Sequence, residues 1–237
     1  ALAWSASPYS SYSSCRQYSE DLEAAREASG VTAPQVKWIR RHHDHPGLIQ
    51  PAADRLAEAL DRLPTNRRQD AVLAFSAHSI PTTMATGCRY EAEVAEAARL
   101  VAERVDPAGN HRREVVWQSR SGPPGVPWLE PDVVDRIRAL AAEGVDAVAV
   151  SPIGFPVENF EIAWDLDVAA AQAAEEFGMA FVRARTVDDD PRFVAMVADL
   201  VAERTRPVVG KRAALGVLGL APDTCPADCC LPSPHNR

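Results

Sequence analysis

The sequence lacks the features of several large classes of protein. No apolar run approaches the roughly 20 residues that a membrane-spanning helix needs. The 25 lysines and arginines are outnumbered by 33 aspartates and glutamates, whereas binding to nucleic acid through its phosphates needs a basic excess. No Gly-x-Ser-x-Gly motif is present, which disfavours a serine hydrolase. We therefore expect no transmembrane segment and no nucleic-acid partner.

The start of the chain lacks two further features. It begins with Ala1, not Met, inside an apolar run, and it has no basic-then-apolar leader. From these features we expect an amino-terminal truncation and a cytoplasmic location. The 237 residues are enough for one large domain or two smaller ones with a buried core.

Cysteines are few and unevenly placed, which argues against a distributed disulfide framework. Cys15 and Cys88 stand alone, whereas Cys225, Cys229 and Cys230 share one short stretch. Clustered thiols favour metal ligation, and one distant cysteine would complete a four-cysteine iron–sulfur site. The alternative is a tail of reactive thiols without a metal, since the spacing differs from that of common zinc fingers.

The sequence does contain a regular alternation of strand and helix patterns between residues 71 and 203. Such alternation predicts an α/β fold, with a mostly parallel sheet and helices on both faces. The predicted strands cover residues 36–39, 71–75, 114–119, 145–151 and 180–184. The predicted helices cover residues 15–29, 51–63, 89–105, 132–143, 160–177 and 191–203. The helix at 89–105 is expected to direct Glu91, Glu93, Glu96 and Glu103 outward.

One strand carries a histidine at its carboxyl end. Residues 72–81 read VLAFSAHSIP, so that an apolar strand leads to His78 between Ser76 and Ser79. Ligands of open α/β sheets bind outside the carboxyl ends of the strands, and a neutral imidazole there can accept a proton or bind a metal. The alternative is a structural histidine that is satisfied by a nearby carbonyl.

An acidic pattern follows the strand at 145–151. Glu158, Glu161 and Asp165 are spaced i, i+3 and i+7, which places them on one face of a helix and leaves Asp167 away from it. Because apolar residues occupy much of this helix, the stripe is expected to face a polar cavity at the same rim as His78. With an imidazole, it would suit a divalent metal such as ferrous iron. The alternative is a solvated acidic face at a helix amino terminus.

A loop rich in glycine and proline follows the strand at 114–119. It lies between Trp117 and Trp128, which offer broad apolar surfaces for one wall of a pocket for a flat ligand. Arg120 is expected near an anionic group of that ligand. The alternative is a loop that packs against its own tryptophans.

Residues 40–46 read RRHHDHP and predict a polar linker or domain crossing. We expect His42, His43 and His45 to lie on the surface, because no cysteine lies near them in the sequence to complete a metal site.

Three stretches together resemble the ferrochelatase family. They are FSAHSIP at residues 75–81, WQSRSGPPGVPWLEP at 117–131 and PIGFPVENFEIAWDLD at 152–167. The opening SPYSSYSSCRQYSEDL and the cysteine-rich end resemble the actinobacterial branch of that family. The resemblance implies insertion of ferrous iron into a porphyrin in heme biosynthesis, with coproporphyrin III favoured, and a [2Fe-2S] cluster.

The resemblance also implies a chelatase-like fold of two Rossmann-like domains with a porphyrin cleft between them. Residues 1–46 would be the end of the first domain, and residues 47–206 the complete second domain. Residues 207–237 would be a cysteine-containing tail. Most of the first domain would be missing from the chain.

Matching the motifs assigns roles to individual residues. His78 and Glu161 would be catalytic, and together with Asp165 they would bind the metal, while Tyr18 would contact the porphyrin. Cys15, Cys225, Cys229 and Cys230 would hold the cluster, with Cys88 as the spare cysteine. One departure is that Glu158-Asn159 stands where the family usually has Asp-His.

Two alternatives to a ferrochelatase stay open on the sequence alone. The first is a non-catalytic fragment that binds a tetrapyrrole or a metal. The second is a chelatase for another metal or another tetrapyrrole.

Overall fold

The computed structural model describes residues 1–206 and 210–232. The predicted α/β class is confirmed, since every paired strand in this part of the chain runs parallel to its neighbour. Part of the predicted tail, residues 207–209 and 233–237, lies outside the described residues.

The main sheet has four strands, numbered here in chain order after two short strands near the amino terminus. It contains β3 (Val72–His78), β4 (Arg113–Gln118), β5 (Ala147–Ser151) and β6 (Ala180–Arg183) in the spatial order β4-β3-β5-β6. Strand β3 is interior to the sheet, and all of its residues except His78 are buried. The apolar run therefore forms a buried strand with His78 at its carboxyl end.

Helices cover both faces of this sheet, as the alternation predicts. The α-helices within residues 1–206 and 210–232 are α1 (Gln17–Ser29), α2 (Pro46–Leu60), α3 (Thr65–Arg68), α4 (Thr82–Ala85), α5 (Tyr90–Val105), α6 (Val133–Ala142), α7 (Phe160–Ile162), α8 (Ala171–Glu176) and α9 (Pro191–Thr205). Leu73 and Phe75 pack with α2, α5 and α9 on one face. Val72 and Ala74 pack with α6 and α7 on the other face. None of the helices described is long and apolar enough to cross a membrane.

A small second sheet lies at the amino-terminal end of the described chain. It pairs β1 (Leu2–Ala3) with β2 (Lys37–Trp38). Between them, a π-helical turn at Tyr12–Arg16 leads into α1. Helix α1 ends where the sequence predicts, because Gly30 adopts a φ of +83° that residues with a Cβ rarely adopt.

The helix that follows β5 contains π-helical geometry. Helix α7 continues through a π-helical segment, Ala163–Ala170, into α8. Asn159 caps its amino terminus, since Asn159 Oδ1 accepts a hydrogen bond from the Ile162 amide at 2.9 Å. Glu158 therefore precedes the helix and cannot share a helical stripe with Glu161. The apolar residues shield this helix only in part, because Ile162 and Leu166 are buried but Phe160 is 80% and Trp164 57% exposed.

Two glutamates of α5 are buried, contrary to the prediction that all four face outward. Glu91 and Glu103 are exposed, but Glu93 and Glu96 are not. Glu93 accepts hydrogen bonds from the amide and the hydroxyl of Ser10, at 2.7 and 3.0 Å, and burial raises its pKa. These buried carboxylates bind loops that are distant in the sequence. The helical periodicity of α5 alone does not predict such contacts.

The histidine-rich segment is buried, so the prediction of a surface position is wrong. His42, His43 and His45 are each 4% exposed or less. The ring of His42 stacks on Trp4 with centroids 5.7 Å apart. Burial, reinforced by the charge of Arg41, lowers the pKa of His42 to about 3.

Acid is expected to destabilise the fold through His42. Its pKa falls from 6.5 to about 3 on folding, so the unfolded chain takes up a proton first as the pH drops below 6.5. At about 1.4 kcal/mol per pKa unit, this linkage costs about 2 kcal/mol between pH 7 and pH 5. His42→Phe should remove that part of the pH dependence in urea unfolding. Parallel stability curves for the two proteins would contradict the burial of a neutral His42.

Candidate active site

His78 lies in the wall of an open cleft of about 1400 Å³. The cleft is lined by the amino-terminal segment up to α1, by the end of β3 with α4, by the loop that ends at Trp128, and by residues 154–161. The site therefore lies outside the carboxyl end of a parallel strand, which is the predicted location.

The two nitrogens of the His78 ring have different surroundings. Nδ1 lies against the carbonyl oxygen of Ser79, and because a carbonyl can only accept a hydrogen bond, Nδ1 carries a proton. Nε2 lies 3.6 Å from Oε1 of Glu161. In the neutral ring, Nε2 thus holds its lone pair on the side of the carboxylate.

The loop after β3 is held in place by hydrogen bonds from buried side chains. The Tyr90 hydroxyl donates to the carbonyl of His78 at 2.9 Å, and the Ser79 hydroxyl donates to the carbonyl of Leu129 at 2.8 Å. Burial raises the pKa of Tyr90, which keeps its phenol protonated and able to donate. These bonds fix the backbone from which the imidazole projects.

Gly154 brings the acidic segment against β3. Its amide donates to the carbonyl of Ser76 at 3.0 Å, and a Cβ at Gly154 would lie only 2.5 Å from Cα of Ala77. The residue beside His78 is therefore in direct backbone contact with the loop that leads to Glu161.

Gly154→Ala is expected to destabilise the fold by about 1–3 kcal/mol, because the added methyl group must displace backbone. Urea unfolding would measure the loss. Gly125→Ala is a matched control, since a Cβ there meets nothing within 4 Å. Equal stability of the two variants would contradict the close packing at Gly154.

Of the predicted acidic residues, the structure brings only Glu161 next to His78. Asp165 accepts hydrogen bonds from the Ser119 hydroxyl and, at 3.3 Å, from Nε2 of Gln118. Glu158 lines the cleft, but its carboxylate is paired with Arg183 at 2.6 Å. The candidate metal pair in the cleft is therefore an imidazole and one carboxylate.

The tryptophan loop contributes one of its two tryptophans to the cleft. Trp128 lines the cleft. Tyr18, which the family resemblance predicts to contact a porphyrin, also lines the cleft and is half exposed. Trp117 is instead buried against Tyr90, with ring centroids 5.7 Å apart. Arg120 donates to the carbonyls of Pro124 and Val126, so it shapes its own loop.

The structure brings the cysteines from the two ends of the chain together. Sγ of Cys15 donates a hydrogen bond to the Ser11 carbonyl at 2.9 Å, and the nearby Cys230 thiol lowers the pKa of Cys15 to about 6. Sγ of Cys229 lies 3.4 Å from Sγ of Cys230, and burial together with the nearby Cys229 thiol raises the pKa of Cys225. Cys88, the expected spare, is close enough for Cys15 and Cys229 to influence its pKa.

The four predicted cluster ligands thus supply the right donor atoms in one place. The sulfurs are nevertheless not arranged as a formed metal site, because no group of three or more His, Cys, Asp or Glu side chains in the described part of the chain is placed to hold a metal ion. The thiols supply sulfur donors of the type that a cluster needs, but the described residues form no cluster site.

Two residues near the site are not identified from the sequence patterns. Gln118 ends β4 beside His78, and Arg183 ends β6 and holds both Glu158 and Asp167. Polar side chains at strand ends on the same rim as His78 are the signal that could have identified them.

Comparison with known proteins gives a consistent result. The family model described as Ferrochelatase matches residues 1–205. The chain is 44% identical to the coproporphyrin III ferrochelatase of Nocardia farcinica, over 98% of this chain and 68% of that protein. It is 46% identical to the coproporphyrin III ferrochelatase of Mycolicibacterium smegmatis, over 86% of this chain and 60% of the relative. A ferrochelatase of Rhodopirellula baltica is 43% identical over 99% of the chain and 66% of its own length. The chain thus spans roughly two thirds or less of these relatives.

Proposed function

This chain belongs to the ferrochelatase family, and on that basis we propose that it inserts ferrous iron into a porphyrin, with coproporphyrin III as the favoured substrate. The observation that carries the proposal is the pair of His78 and Glu161, 3.6 Å apart in the wall of a large open cleft. The names of the relatives from Nocardia and Mycolicibacterium support the choice of porphyrin.

Iron insertion is an exchange of two protons for one metal ion. Two pyrrole N–H bonds break, the iron stays ferrous, and two protons leave. The reaction therefore needs a base beside the ring, and a general base contributes about 10²–10⁴-fold in rate. His78 is suited to this role because Nδ1 is committed to the Ser79 carbonyl, so Nε2 is the nitrogen that accepts a pyrrole proton.

Glu161 supplies the negative charge next to that base. Its carboxylate is about half exposed, so it can meet a hydrated cation from solvent. Imidazole nitrogen with carboxylate oxygen is a donor set that suits ferrous iron. We propose that Glu161 holds the incoming iron or passes protons from His78 outward. Asp165 is hydrogen-bonded to Ser119 and Gln118, so it would support Glu161 without itself contacting His78.

The composition of the cleft wall suits both substrates. Its described residues include three carboxylates and no lysine or arginine. Because Glu158 is paired with Arg183, Asp21 and Glu161 are the carboxylates that attract a divalent cation.

The cleft wall also includes seven serines. Five of them donate their hydroxyls to other protein groups, which leaves the hydroxyls of Ser7 and Ser121 to donate to the carboxylates of a porphyrin. The Trp128 ring adds apolar surface for the flat macrocycle.

An anaerobic insertion assay with ferrous iron tests this proposal. Coproporphyrin III and protoporphyrin IX are compared side by side, with the Nocardia farcinica relative as the positive control. We expect turnover with both and a higher kcat/KM for coproporphyrin III. Porphyrin binding without turnover would favour a non-catalytic tetrapyrrole-binding protein, and turnover only with another metal would favour a different chelatase.

We also propose that Cys15, Cys225, Cys229 and Cys230 hold a [2Fe-2S] cluster, which when bound would supply a one-electron redox centre. The proposal is supported by the 3.4 Å contact between the Cys229 and Cys230 thiols and by the mutual influence of these thiols on the pKa values of Cys15 and Cys225. Anaerobically purified protein should then show visible absorption, with two iron and two sulfide per chain. Colourless protein with stoichiometric zinc would favour a zinc site, and metal-free protein would favour a simple thiol group.

The division into domains and the cytoplasmic location stay predictions. The separate small sheet that ends at Trp38 and the start of α2 at Pro46 support a boundary near residue 46. Limited proteolysis would test that boundary, and cell fractionation would test the location.

A further inference from the structure

Gln118 is a buried polar residue at the point where the two halves of the candidate site meet. It pairs with His78 in the register of β3 and β4, and its carbonyl accepts a hydrogen bond from the Ser79 amide at 2.7 Å. Its side-chain Nε2 lies 3.4 Å from the carbonyl oxygen of Glu161 and 3.3 Å from Oδ2 of Asp165. One residue thus contacts the strand end that carries His78 and the turn that carries Glu161.

The orientation of the Gln118 amide follows from its neighbours. A carbonyl and a carboxylate both accept hydrogen bonds, so the NH₂ group faces Glu161 and Asp165. The amide oxygen, Oε1, is then left buried and has no partner among the described residues. Such an orphaned acceptor weakens the fold, because a buried polar atom without a partner loses its bonds to water. An apolar side chain of similar size would avoid that cost, so the stability of the fold does not explain a glutamine here.

We infer that Gln118 is a positioning residue, whose amide holds the Glu161 turn at its working distance from His78. This inference rests on the proposed function of the site. The turn needs such support because the helix passes into π-helical geometry directly after Ile162. The hydroxyl of Ser119, the next residue, also donates a hydrogen bond to Asp165. Two adjacent residues at the end of β4, Gln118 and Ser119, are therefore hydrogen-bonded to the helix.

Gln118→Met separates positioning from stability. Methionine has a similar length and removes both the amide donors and the orphaned oxygen, so the variant should be at least as stable as the wild type. We expect kcat for iron insertion to fall about 10- to 100-fold, as when supporting contacts of a metal ligand are lost. The KM for the porphyrin should stay within about twofold, since Gln118 does not line the cleft.

Two further variants sharpen the comparison. Gln118→Glu keeps the shape but loses the donors next to Asp165, so it should slow insertion at least as much as Gln118→Met. Gln69→Met is the matched control, because Gln69 is exposed and should keep the wild-type kcat. Wild-type kcat in both Gln118 variants would overturn the inference and leave the proposed function intact.

Hydrogen–deuterium exchange tests the inference without any turnover. The amides of residues 160–166 should exchange faster in Gln118→Met than in the wild type, while those of β5 stay unchanged. If the wild type inserts no metal, the proposed function is wrong. In that case the exchange rates of residues 160–166 alone test whether Gln118 holds the Glu161 turn. Unchanged exchange at residues 160–166 would overturn the inference in either case.

Discussion

His78→Ala is expected to reduce the rate of iron insertion at least about 100-fold while the protein stays folded. The imidazole is the one base in the described cleft wall with a nitrogen lone pair, and loss of a general base costs about 10²–10⁴-fold. Stability should change little, because the side chain is one-third exposed and the Tyr90 hydroxyl bonds to the backbone of His78, which remains. Anaerobic initial rates and urea unfolding on the same preparation would measure both effects.

His111→Ala is the matched control for that variant. His111 pairs with Asp106, away from the cleft, so its loss should leave the insertion rate unchanged. If His78→Ala keeps the rate of the control, proton transfer does not pass through His78. If His78→Ala binds the porphyrin normally but is inactive, the defect lies in the chemical step.

Glu161→Gln is expected to reduce iron insertion about 10- to 100-fold, the range that follows the loss of a metal-site contact. The substitution keeps the shape of the side chain and removes only the charge that lies 3.6 Å from Nε2 of His78. The kinetics also separate two roles for the carboxylate. A raised KM for ferrous iron would indicate that Glu161 holds the metal, and a lowered kcat with unchanged KM would indicate that it moves protons.

Glu176→Gln provides the control for the loss of one negative charge. Glu176 is exposed and lies at the far end of the same helical stretch, so its substitution should leave kcat and both KM values unchanged. Equal rates for Glu161→Gln and Glu176→Gln would remove Glu161 from the reaction.

The main sheet and the position of His78 could be predicted from the sequence because both depend on local patterns. An apolar run of strand length ending in a polar residue defines β3 without reference to the rest of the chain. The alternation of strands and helices then fixes a parallel sheet, and the parallel sheet fixes the rim at which His78 and Glu161 meet.

The positions of Glu158, Glu161 and Asp165 could not be predicted correctly, because the spacing rule that places them on one face assumes a regular α-helix. Asn159 caps the helix one residue after Glu158, which places Glu158 outside it. The π-helical segment changes the angular spacing that the i, i+7 rule requires. Ser119, which adopts a positive φ of 61°, then directs its hydroxyl to Asp165, and no local pattern indicates that bond.

The buried histidines show the limit of composition-based reasoning. His42 is covered by Trp4 and Phe193, residues that lie far from it in the sequence. Neighbouring Asp44 accepts a hydrogen bond from Gly216 in the carboxyl-terminal segment. A polar stretch is buried here because distant segments close over it, which only the tertiary structure reveals.

The proposed mechanism requires His78 and Glu161 to act together when two pyrrole protons are exchanged for ferrous iron. The most direct test follows the formation of iron coproporphyrin under anaerobic conditions, for the wild type and for a protein that combines His78→Ala with Glu161→Gln. We expect multiple turnovers by the wild type, and porphyrin binding without product by the double variant. Binding without product by the wild type, or a wild-type rate in the double variant, would contradict this mechanism.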